Sequence, residues 1–257
     1  MRKPKNYLNN RDLLIEIHKS KSSHSRFTHP DYATHDVTVR SFDEIPDVIE
    51  DAKANRRARL IANSPVLEDV TVEEEDLVFR VMTWDHIPDD PERKKNKKTI
   101  ADHKAKVNFP PFQHWTYING KLTLVGKSHW IGDVHTGEFS TVSGRATDKL
   151  AMMWLKLIER YSMRSNVRSY SYLDEMGEQA LIQLTQTGLQ FDETKSNNPF
   201  AYYSQIVYHS FVKVINTEKR HQDTRDDLLE DMGYAPSHTR IMNHEWSTEV
   251  QRNSEQD

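Results

Sequence analysis

The chain has 257 residues, 36% hydrophobic and 29% charged, which is enough for one large or two modest domains with a small core among solvated stretches. No apolar run approaches membrane-spanning length, and Met1-Arg2-Lys3-Pro4-Lys5-Asn6 leads into no secretory core, so neither a transmembrane helix nor a membrane partner is expected. The absence of cysteine excludes disulfides, thiolate zinc sites and a cysteine nucleophile, and a net charge of −4 does not by itself announce a nucleic-acid partner.

Four segments separate on pattern. Residues 1–22 predict a short docking helix with Asn10 as N-cap and Leu13, Leu14 and Ile17 on one apolar face. So short a helix is marginal alone and must pack on something else. Residues 23–145 predict a mixed α/β unit of open role. Within it, His24–Arg40 reads as irregular chain with one strand through Val37 and Val39. Ser41-Phe42-Asp43-Glu44 opens a helix by capping-box logic, running to about Ile61. Leu77–Met82 is a strand run. The stretch Arg93–Lys106 holds seven Lys or Arg residues, a loop that is either solvated or in contact with DNA. Thr116-Tyr117-Ile118, Asn119-Gly120 and Lys121–Val125 form a β-hairpin with a type I′ turn.

Residues 146–221 predict three helices in a bundle. Leu150, Met153, Trp154, Leu157, Ile158 and Tyr161 make one continuous face. Leu173, Met176, Ala180, Leu181 and Leu184 make a second. Asn198-Pro199 starts a third helix, an N-cap followed by proline in the first turn. Residues 222–257 read as an acidic tail with Asp223, Asp226, Asp227, Glu230 and Asp231, and a short helix stopped by Gly233. The fold class is therefore mainly α: a helical bundle with a mixed α/β insertion.

Catalytic signatures are sparse. His24, His29 and His35 share one irregular stretch, and His129, Asp133 and His135 lie close together after the hairpin, so a metal-dependent nuclease using residues 100–140 is one alternative. No spacing matches a known metal motif, and the pairs His114-Trp115 and His129-Trp130 are expected to pack on one another across the sheet. The glycines form no phosphate loop and Ser143-Gly144-Arg145 is no nucleophile elbow. No catalytic residue, metal or cofactor is expected.

The third helix interleaves rings with cations: Phe200, Tyr202, Tyr203, Tyr208, His209, Phe211, Lys213, Lys219 and Arg220. Unpaired bases stack on such rings for about 1–3 kcal/mol each, and cations follow the phosphates. Phe200, Val207 and Phe211 are expected in the core. Tyr202, Tyr203 and Tyr208 cannot all point inward, because neighbours on a helix lie about 100° apart.

Leu189-Gln190-Phe191-Asp192-Glu193-Thr194-Lys195, followed by Asn198-Pro199-Phe200-Ala201-Tyr202-Tyr203, resembles region 2 of the sigma-70 family. Its closer match is to the reduced late-transcription sigma factors of T-even-type phages and their cyanobacterial relatives, which Tyr7–Leu14 also resembles. The resemblance covers residues 146–221 and 5–15, under half of the chain. It implies a sigma region 2 bundle and a non-catalytic partner of bacterial RNA polymerase core, acting at late promoters in the cytoplasm of an infected host. It further implies that Glu175, Glu178 and Gln179 face the clamp helices of the largest polymerase subunit. Tyr203 would accept the first flipped base of an A·T-rich −10-like element, with Phe200, Tyr202 and Tyr208 nearby. Ser210, Lys213, Asn216 and Arg220 would read the duplex edge upstream, with Lys213, Lys219 and Arg220 mainly on phosphates. Ile206 and Val207 stand where the family places two tryptophans. Only residues 222–257 follow, too few for the −35-reading domain, so a sliding clamp and a late co-activator are further expected partners. The candidate clamp peptides are Asp227-Leu228-Leu229-Glu230, or Ile241-Met242 with Trp246. A polymerase-binding inhibitor is the other alternative.

Overall fold

The computed structural model describes residues 8–63, 71–93 and 98–254; Tyr7 of the N-terminal match and residues 94–97 of the basic loop lie outside the described residues. Asn9, rather than the expected Asn10, caps α1 (Asn10–Ser23), accepting the Asp12 N–H at 2.7 Å. Asn10 instead accepts the backbone N–H of Phe200 at 3.1 Å, joining the two ends of the chain. Leu13 and Ile17 are buried in the helical core, as a docking helix requires.

The α/β unit begins with two short strands, β1 (Ser25–Phe27) and β2 (Val37–Val39). The helix expected from Ser41 starts later. Two 3-10 turns carry the chain through Pro46, and the regular helix α2 is Ile49–Asn63. A proline ring restricts the residue before it and has no N–H to donate, which favours the tighter turns at that point. β3 (Phe79–Met82), the one-turn α3 (Ile100–His103), β4 (Phe112–Ile118) and β5 (Lys121–Ser128) follow. The hairpin is as expected: Asn119 and Gly120 take φ of 51° and 72°, the left-handed pair a type I′ turn demands. The five-stranded sheet has the order β1-β5-β4-β3-β2, with β2 parallel to β3 and the other pairs antiparallel. A two-stranded ribbon, β6 (Trp130–Ile131) with β7 (Glu138–Phe139), completes the unit.

Period-two alternation gives the sheet two different faces. Phe79, Val81 and Val39 pack with Ile45, Ala52 and Leu77 under α2. Buried Asp36 pins that helix: it pairs with Arg59 at 2.5 Å and accepts the Val78 N–H at 2.9 Å. The opposite face presents Arg80, His114 and Phe112 toward the helices. The expected packing of His114-Trp115 on His129-Trp130 does not occur. His114 stacks on Phe112, Trp115 meets Phe42, His129 lies 4.1 Å from Phe109, and Trp130 takes Lys127 over its ring. Adjacent residues on a strand point to opposite faces, so each pair is divided between two environments.

Helices α4 (Asp148–Ser162), α5 (Leu173–Thr187) and α6 (Pro199–Asp231) form the bundle. All six expected apolar residues of α4 are buried. Thr147 caps α4 and Asn198 caps α6, with Pro199 in the first turn. α6 does not stop near His221 but continues for 33 residues. Gly233, at φ 79°, then ends it, with the Tyr234 N–H returning to the Leu229 carbonyl at 2.8 Å. The segment read as an aperiodic tail contains another helix, α7 (His238–Ser254). Asp226, buried near the end of α6, accepts the Ser237 N–H at 2.8 Å and its hydroxyl at 2.7 Å, and Arg240 pairs with Asp227 at 2.6 Å. These acids serve the turn between the two helices. Helices dominate the described residues, with a mixed five-stranded sheet beside them, and no described helix is long and apolar enough to cross a membrane.

Candidate nucleic-acid interface

The inward stripe of α6 is Tyr203, Val207, Ser210, Phe211 and Val214. Tyr203 is fully buried; its ring meets Trp154 edge-on at 5.7 Å and its hydroxyl donates to the Gly188 carbonyl at 3.2 Å. Gly188 is small of necessity, since an added Cβ would sit 2.5 Å from the Trp154 indole. The expectation that Tyr203 receives a base is therefore corrected: its ring is a core element, with its hydroxyl strongly disfavoured from ionising by burial. Ser210 is corrected likewise. It is 3% exposed and donates back to the Ile206 carbonyl at 2.8 Å, off the surface it was expected to read.

Phe200 was expected in the core and is 39% exposed, because its position in the first turn leaves one side of the ring with no neighbouring helix. Val207 and Phe211 are buried as expected, and Ile206 packs partly buried against the core. Tyr202 is half-buried, donating to the Thr187 carbonyl at 2.8 Å. Tyr208 is the open ring, 49% exposed, beside the ring of His209 at 5.2 Å.

The outward side of α6 is polar and basic. His209, Lys213, Asn216 and Arg220 are all exposed and recur at i, i+4, i+7 and i+11, one stripe of a helix. Tyr208 and Lys219, also eleven apart, form the adjacent stripe. His209 thus takes the place expected of Ser210, and its spacing to Lys213 is the signal that identifies it. Among the described residues no acid lies within ion-pair distance of Lys213, Lys219 or Arg220; the nearby Glu218 pairs with His221 at 3.1 Å. On α5, Glu175 and Glu178 are exposed and Gln179 is half-buried, on the side away from Met176, Ala180 and Leu184.

Chemically, this surface can hold rings and phosphates but has no acid–base pair. No family model, curated protein or solved structure matches the chain. The histidine-rich stretch does not converge on a metal: among the described residues no three His, Asp or Glu side chains are placed to hold one. His129 is fully buried, and Asp133 is taken up by the N–H groups of His135 and Thr136 at 2.8 and 3.2 Å.

The bundle meets the sheet through buried charge. Lys21 of α1, 1% exposed, donates to Glu193 and to the Phe191 carbonyl. Arg80 is 2% exposed, stacks at 3.9 Å over Phe112 and donates to His114 Nε2 at 3.0 Å; burial pulls it down to about 10, still charged at neutral pH. Burial alone would raise Glu193, but His18, Lys21 and Arg80 hold it well below the usual carboxylate range. This cluster fixes the loop between α5 and α6, and so the start of the candidate interface.

Proposed function

We propose that the chain is a reduced sigma factor, a promoter-recognition subunit that binds a bacterial RNA polymerase core through α5 and holds melted, A·T-rich −10-like DNA on α6. The observation that carries this reading is the outer side of α6, where Tyr208 and Phe200 are exposed near the unpaired cations Lys213, Lys219 and Arg220. An exposed ring gains about 1–3 kcal/mol from a stacked base, available only when the strands are apart. Duplex binding by cations alone carries no such preference, so the combination stabilises opened over paired DNA. Weakly stacked A·T steps make the opening cheapest. Glu175, Glu178 and Gln179 offer an acidic and amide patch on α5 suited to a basic polymerase surface. A sliding clamp and a late co-activator, with exposed Leu228 or with Ile241, Met242 and Trp246 of α7 as contacts, belong to the same proposal, as does the cytoplasm of an infected bacterium.

The test is in vitro transcription with core polymerase on an A·T-rich promoter library. New, discrete start sites on adding the protein support the proposal. Lower output without new starts identifies an inhibitor, and unaltered transcription removes both readings.

A further inference from the structure

Beside the α5–α6 loop, where the α/β unit meets the bundle, lies a groove of about 660 Å³ that the proposal above does not use. Ligand sites for small molecules span about 300–1,000 Å³. One wall comes from the chain around Lys106 and Arg145, the other from the last turn of α5 and the 3-10 turn Gly188–Gln190.

The groove has four properties of a built site. Lys106 and Arg145 are exposed, no acidic side chain lines the wall with them, and neither has an ion-pair partner among the described residues. Arg145 is held in place by its backbone, whose N–H accepts no freedom: it donates to Ser23 Oγ at 3.0 Å while its carbonyl accepts that hydroxyl at 2.9 Å. The side chains of Gln186 and Gln190 present amide donors and acceptors with no partner among the described residues. His24 is 5% exposed and its Nδ1 has no hydrogen-bond partner; Phe109 meets the ring edge-on at 5.6 Å, and Gly144 lies so close that a Cβ there would be 2.5 Å from the imidazole. Burial keeps this ring below its usual range and therefore neutral at pH 7.

Other basic residues of the same stretch are structurally engaged. The Arg93 guanidinium donates to the Ala101 and Lys104 carbonyls at 2.7 and 2.8 Å, and Lys104 pairs with Asp89 at 3.2 Å. Lys106 alone of these three is left for a ligand. Two cations without a counter-charge suit a phosphate, the arginine as a fork and the lysine as a point charge. Carboxamides beside them match the donor–acceptor edge of a nucleobase.

We infer that this groove binds one nucleotide unit, its phosphate on Lys106 and Arg145 and its base edge on Gln186 and Gln190. The unit comes either from a free mononucleotide or from a single strand. Geometry favours the strand: Gln190 also lines the adjoining hollow with Tyr202 and Gln205, which leads to the exposed side of α6. The strand source rests on the proposed function; the mononucleotide source does not.

The experiment uses the full chain and the surface variant Lys106→Glu/Arg145→Glu, with thermal unfolding to check that it folds, and Gln190→Ala as a milder second probe. Binding is measured by anisotropy with labelled single-stranded DNA of about 16 nucleotides, and by calorimetry with dAMP and dTMP. For a strand site, the charge variant weakens the oligonucleotide about tenfold and lowers the slope of log K against log salt by about 1.4, two phosphates lost. Loss of mononucleotide binding with the oligonucleotide unchanged assigns the groove to a free nucleotide. No change in either ligand, or no binding by the wild-type chain, overturns the inference. Lys213→Glu/Arg220→Glu separates the two ideas: if that variant leaves oligonucleotide binding and promoter transcription intact while the groove variant does not, the reading of α6 fails and the groove stands.

Discussion

Lys21 Nζ lies 2.8 and 2.7 Å from the two carboxylate oxygens of Glu193, a fully enclosed ion pair joining α1 to the loop that introduces α6. A buried pair costs desolvation on both sides, so it adds little over an apolar pair of the same shape, but breaking it leaves a bare charge inside. Glu193→Ala is expected to destabilise the fold by about 3–5 kcal/mol, measured by urea unfolding. Lys21→Met with Glu193→Leu should cost far less than that single change. A small effect of Glu193→Ala would mean that water reaches Lys21.

The same joint makes the fold sensitive to acid. His35 and His114 are held well below 6.5, by burial first and by Arg80 next; His86 is lowered to about 4 and His129 to about 3, mainly by burial. The unfolded chain protonates these rings near pH 6.5 and the folded chain does not. Their contribution is therefore complete above about pH 6.5 and is lost progressively as pH falls toward each folded value. Glu193 acts lower: its stabilisation is present above about pH 4.5 and disappears below it. At about pH 5 each such histidine costs at most about 2 kcal/mol. The urea midpoint should drop markedly between about pH 7.5 and pH 5, and an unchanged midpoint would contradict the burial of these rings.

Tyr203 and Tyr208 should separate stability from function. Tyr203→Ala removes a ring packed on Trp154 and is expected to cost about 3–5 kcal/mol, in the range of large core truncations. Tyr203→Phe loses one hydrogen bond, about 1 kcal/mol. Tyr208→Ala should leave thermal stability nearly unaltered but reduce transcription from duplex promoters more than from pre-opened bubbles. Equal loss on both templates would argue against a role in opening the strands.

Reversal of charge at Glu175 and Glu178 tests the other partner. Both side chains are exposed on α5, so Glu175→Lys/Glu178→Lys should change unfolding little and weaken co-purification with core polymerase by at least about tenfold. Undiminished co-purification would move the polymerase contact elsewhere.

Several elements were readable from local pattern. The α4 face followed from helical period, the hairpin from Asn119-Gly120, the start of α6 from Asn198-Pro199, and its end from Gly233. In each case one segment carries the whole signal, since the dihedral requirement or the repeat lies within a few consecutive residues. α7 was missed because its apolar residues Ile241, Met242 and Trp246 remain exposed and form no strong stripe.

The chain alone dictated that the three tyrosines of α6 must divide between inside and outside, and that β3 must put Arg80 opposite Phe79 and Val81. Which tyrosine faces water, and whether Arg80 meets solvent or protein, was decided by where α4, α5 and α1 come to rest. Periodicity specifies angles around an element's own axis but not what lies in each direction. That depends on packing partners more than a hundred residues away, and so does a groove whose cations and amides come from separate stretches of sequence.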